Sequence, residues 1–199
     1  MDCCGKLGNT MQKYFSILLC LLAAACSEMP KGVNVVKSVD ANQYLGTWYE
    51  IARLDHSFER DLEQVTAQYI KQADGTIKVI NRGYNVKKNE WKEAEGKAYF
   101  VDAPNADGTN TGKLKVSFFG PFYGNYNIIA LDKPYYNYAV VSGGSEYLWI
   151  LARTPQLAYP IKQHLISQAK EWGYATSQLI FVKQNNQAEF EAGKHVLPN

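Results

Sequence analysis

From Leu45 to Arg153 the chain is a succession of eight short runs rich in β-branched and aromatic residues, each bounded by glycine, asparagine, aspartate or proline. That is the pattern of strands joined by turns. The runs lie near residues 45–54, 64–72, 76–86, 90–101, 112–119, 122–132, 135–142 and 145–153. Ala73-Asp74-Gly75, Lys87-Lys88-Asn89 and Gly143-Gly144 punctuate them, and Asp-Gly suits the left-handed backbone of a tight hairpin. Pro104 to Gly112, with Asn105, Asp107, Gly108 and Asn110, reads as a surface loop. Sequential antiparallel strands leave exposed edges unless the sheet closes on itself, and eight strands enclose just enough room for one small ligand. The expected fold is therefore all-β, an eight-stranded antiparallel up-and-down β-barrel. An open sandwich would show longer crossing connections.

One helix follows the strands. Ile161, Leu165, Ala169 and Trp172 recur at helical spacing, with Pro160 suited to the first turn and Gly173 to the stop. Leu179 to Val182 reads as a short ninth strand, and 185–199 as a polar tail. With 199 residues, 46% of them hydrophobic, the chain can bury one sizeable core. A net charge of +2 lacks the basic field that nucleic-acid binding needs.

All four cysteines, Cys3, Cys4, Cys20 and Cys26, fall in the first 26 residues. The domain beyond them therefore has no disulfide, thiolate nucleophile or cysteine metal site, and packing alone must hold it. Lys13, the apolar run Phe15 to Ala25 and Ala23-Ala24-Ala25 before Cys26 describe a secretory signal over 1–25, with Met11 an alternative start. The run is too short to span a bilayer, which takes about 20 residues. A buried N-terminal helix is the other reading, but polar Ser27 to Gly32 follows at once. Residues 26–40 then form a tether to a domain over 41–184.

Several motifs in order carry a family resemblance. Gly46-Thr47-Trp48 opens the first strand, and Arg53 to Arg60 with Leu62-Glu63 follows it. Gly96 to Phe100, Lys115 to Gly124, Asp132 with Tyr135, and Trp149 to Pro155 complete the set. Over about 38–184 the chain resembles the lipocalins, most closely the bacterial outer-membrane lipocalin lipoproteins allied to apolipoprotein D. The resemblance implies a barrel closed at one end by Gly46, Trp48 and Arg153, with the arginine packed across the indole. It also implies a lipobox in which Cys26 carries the acyl chains, although Ala23 stands where that pattern prefers leucine. Ser27 resembles the outer-membrane sorting signal. Ordinary cleavage to a soluble periplasmic protein is the alternative.

The affirmative functional signal is aromatic. Tyrosine occurs 14 times, and Phe118-Phe119, Phe122-Tyr123, Tyr126, Tyr135-Tyr136, Tyr138, Tyr147 and Trp149 crowd the later strands. Most serve the core, yet apolar walls with a few polar groups also suit a lipid pocket. Alternation places Trp149 with Leu151 and Arg153, and Ala52 inward with Trp48; Phe58 falls at the mouth. Ala52, Phe58, Tyr126, Tyr138 and Trp149 are the candidate ligand contacts. With the resemblance, they imply a fatty acid or lysophospholipid, bound by a monomer or weak dimer with no cofactor and no catalysis. A scaffold for a protein partner and a carrier of haem or another pigment are the rival readings.

His56, His164 and His195 have no metal-ligand spacing. Asp55, Glu59, Asp61 and Glu63, interleaved with Arg53 and Arg60, read as a surface charge network, and His56 as a solvated loop residue, with a place lining the barrel mouth as the alternative.

Overall fold

The computed structural model describes residues 28–185. Cys26, the signal-like segment before it and the tail after Asn185 lie outside the described residues. A one-turn helix α1 (Ala41–Tyr44), capped by the Asp40 carboxylate, leads into β1 (Gly46–Arg53). Then come β2 (Leu62–Lys71), β3 (Ile77–Asn85), β4 (Glu90–Phe100), β5 (Lys113–Phe119), β6 (Phe122–Leu131), β7 (Tyr138–Gly144) and β8 (Tyr147–Ala152). Each is antiparallel to the next, and β1 pairs with both β8 and β2, so the sheet closes as the sequence predicts. Helix α2 (Tyr159–Glu171) and the two-residue β9 (Ile180–Phe181) complete the fold. Gly173 has φ +89°, the left-handed backbone of a helix stop, where the sequence places it.

Strand alternation sorts the side chains into two cores. Val141, paired with Trp149, and Ala139, paired with Leu151, point inside with Trp48, Tyr69, Ile77, Val79, Leu114 and Ile128. Val140, paired with Ile150, points outside, where both meet Leu165 and Ala169 of α2. The apolar helix face read from the sequence thus covers the outer wall and leaves the lumen alone.

Three details depart from the sequence reading. A β-bulge inserts Ile51 into β1, so Glu50 faces Leu151 while Ala52 faces Ile150. One extra residue reverses the facing of all that follows. Gly143 and Gly144 end β7 rather than forming a turn, which falls at Ser145-Glu146. A side chain on Gly143 would meet Tyr147 Cβ at 2.9 Å, so its smallness serves strand packing. The supposed tether is docked along the wall, with Val33 and Val39 buried. Val36 N donates to Ile128 O at 2.8 Å, and Val39 pairs with Asn110.

Candidate functional site: the barrel lumen and its two ends

The floor is built from α1 and the start of β1. Gly46 adopts φ +92°, where a side chain would be strained and would meet Arg153 at 3.4 Å. This turn lays Trp48, fully buried, across the lumen, its Nε1 donating to Tyr44 O at 2.9 Å. The Arg153 guanidinium sits 3.9 Å from the Trp48 ring centroid and donates to the carbonyls of Thr47, Gln43 and Tyr136. This cation–π and carbonyl cradle closes one end.

Above the floor three phenols converge. Tyr69 donates to Tyr126 Oη at 2.8 Å, and Tyr44 and Tyr126 share a hydrogen bond of 2.7 Å. Burial raises the pKa of all three, so they stay neutral. Two hydrogen bonds among three hydroxyls leave one proton over, a single donor available in an otherwise apolar wall.

Near the opposite end lies a buried polar network. Arg53, about 2% exposed, donates to Glu50 Oε1 at 2.7 Å and to Glu59 O at 2.7 Å. Burial, then repulsion from Glu59, pushes the Glu50 carboxyl well above the usual range, only partly offset by Arg53. The neighbouring Glu59 side chain adds to this upward shift, since two like charges side by side in a buried site are unfavourable. Trp149 Nε1 donates to the same Glu59 side chain at 3.1 Å. His56 Nε2 also lies 3.1 Å from it, yet off the line a hydrogen bond requires. Both His56 ring nitrogens and Arg53 Nε therefore remain buried without hydrogen-bond partners. Phe58 stacks on His56 with centroids 4.0 Å apart.

Comparison with known proteins agrees with this architecture. The model of the lipocalin-like domain matches residues 39–184. The chain is a lipocalin. It is 53% identical over 175 residues to the outer membrane lipoprotein Blc of Vibrio cholerae, covering 87% of this chain and 99% of that protein. The Blc lipoprotein of Escherichia coli K12 is 51% identical over 165 residues, covering 82% and 90%. Insecticyanin of the tobacco hornworm Manduca sexta superposes with a TM-score of 0.60 at 23% identity, over 81% of this chain and 89% of that one, which shows the fold alone. These relationships place this lipocalin at the outer membrane as a lipid-anchored protein, in a family that binds small hydrophobic molecules.

Of the sequence-predicted contacts in this lipocalin, Tyr126 and Trp149 border the inner core, and Phe58 stands at the mouth, 62% exposed. Ala52 and Tyr138 do not reach the lumen. The Ile51 bulge turns Ala52 onto the α2 side, and Tyr138, opposite Ala152, shares that outer face. Only part of the charged first loop is a surface network: Asp55–Arg60 is exposed, whereas Arg53, His56 and Glu59 are buried. Glu50 carried a legible signal, since it shares the inward face of β1 with Trp48 two residues earlier.

Proposed function

We propose that this lipocalin carries a single-chain amphiphile, a fatty acid or lysophospholipid, in store or transit at the outer membrane to which acylated Cys26 holds it. The acyl chain lies along the apolar lumen above Trp48, and the polar head rests near the mouth. One observation carries this reading. Between the apolar wall and the mouth, Arg53 Nε and the His56 ring are buried with no hydrogen-bond partner. Unspent buried donors are costly, and the acceptor oxygens of a carboxylate or phosphate would repay them. Tyr126 and Trp149 contact the chain from the wall, Phe58 from the rim. The role is that of a carrier, with no bond made or broken.

Titration calorimetry of delipidated protein with fatty acids of increasing length tests this. Burial contributes about 0.8 kcal/mol per CH₂, so affinity rises about fourfold per carbon until the chain meets the floor. The same series with lysophospholipids separates the two ligand classes. Binding that is absent, or indifferent to chain length, removes the proposal.

A further inference from the structure

Strand directions place four connections at the open end, over 54–61, 86–89, 120–121 and 145–146, and the loops over 72–76, 101–112 and 132–137 at the floor. The two ends present different surfaces. Four phenylalanines are exposed among the described residues, and three stand at the mouth: Phe58 at 62%, Phe119 at 82% and Phe122 at 79%. The fourth, Phe181, lies on the outer wall with the Lys162 ammonium 5.6 Å from its ring. At the floor the loops are polar and folded on themselves, with Asp74 accepting from Thr76 and Asp107 from Thr109. Tyr135, exposed there, carries a hydroxyl suited to water.

The chain trace joins this apolar rim to the anchor. The Glu28 carbonyl accepts from Ser145 N at 2.8 Å, in the β7–β8 turn at the mouth. From Glu28 the segment runs down the wall through Val33, Val36 and Val39 to Asp40 at the floor, tied by the backbone bonds already described. Only Ser27 separates Glu28 from Cys26, and two residue steps of extended chain cover no more than about 7 Å. The point at which an acyl group would join Cys26 is therefore within reach of the mouth turn and not of the floor.

We propose that the mouth is a membrane-docking face, seated through Phe58, Phe119 and Phe122 on the bilayer that holds the anchor. The inference rests on acylation of Cys26. The lumen then opens onto the lipid leaflet, and an amphiphile passes between bilayer and barrel without crossing bulk water. Charge plays little part, because Asp55–Arg60 and Asp61–Lys87 at the mouth are mutually paired. Exposed phenyl rings suit the boundary between headgroups and acyl chains.

The test uses lipidated protein expressed from the full sequence and reconstituted on phosphatidylethanolamine–phosphatidylglycerol vesicles. No cysteine follows Cys26, so Lys88→Cys at the mouth or Ala106→Cys at the floor takes a single environment-sensitive dye. Nitroxide-labelled lipid is expected to quench the Lys88 site several-fold more than the Ala106 site. A Phe119→Ser, Phe122→Ser double variant should still float with vesicles but lose that difference. Protein that floats with both sites quenched alike, or a double variant that keeps the difference, overturns the docking face alone. Protein that does not float removes the anchor reading and the docking face together.

Discussion

Two arginines, Arg53 buried and Arg153 half-buried, mark the two ends of the barrel, and their surroundings differ in kind. Arg153 at the floor lies on the Trp48 ring and donates to three backbone carbonyls. Its partners are dipoles and a π-face held by the fold itself, so nothing there awaits a ligand. Arg53 near the mouth pairs with the Glu50 carboxyl, donates to the backbone carbonyls of Glu59 and Leu62, and keeps Nε without a partner. At the scaffold site all three guanidinium nitrogens donate to the fold's own carbonyls. A binding site keeps some donors in reserve, at a cost in stability that a ligand offsets.

The harshest way to break the contrast is at the floor. Trp48→Ala should lower unfolding free energy by about 3–5 kcal/mol, because a fully buried indole leaves a cavity its neighbours cannot fill. A denaturant midpoint unchanged by the substitution would remove Trp48 from the core. Arg53→Met is expected to cost less, about 3 kcal/mol, by leaving the buried Glu50 carboxyl and the Glu59 carbonyl without their partner. It should also abolish preference for anionic over neutral single-chain ligands, which Arg153 does not touch. If chain-length dependence survives while head preference disappears, the division of labour stands.

The mildest change is Glu50→Gln, expected to lie within about 1 kcal/mol of the parent at pH 4. Its value is in the pH dependence. The Glu50 carboxyl titrates well above 4.5 in the folded state. Its protonated form therefore supports the fold fully below 4.5, and that support is lost as pH rises toward the folded value. The glutamine variant lacks this loss, so its stability relative to the parent should increase from pH 4 to pH 8. An unchanged difference across that range would mean Glu50 is ionised in the fold.

Much of the fold was legible because strand patterns are local. Aromatic and β-branched runs, Asp74-Gly75 and the Ile161–Leu165–Ala169 face report on neighbours a few residues away. The site was less legible. Trp149 and Phe58 fell where alternation and loop position put them, but Ala52 did not, because one bulge at Ile51 carries no mark in the residue types around it. His56 and Glu59 read as solvated for a similar reason. Loop residues of that composition are usually wet, and only the fold of the first loop against Trp149 buries them.

The amino-acid sequence by itself determined that the chain closes a barrel, where the floor lies and which face of the helix is apolar. These follow from periodicity, turn chemistry and two motifs whose partners are set by topology. Tertiary structure alone decided which polar groups enter the lumen, which of them are buried without partners and at which end the N-terminal segment leaves. Burial of such groups depends on contacts like that of Trp149 with Glu59. Those two residues lie 90 positions apart in the chain and meet only once the sheet has closed.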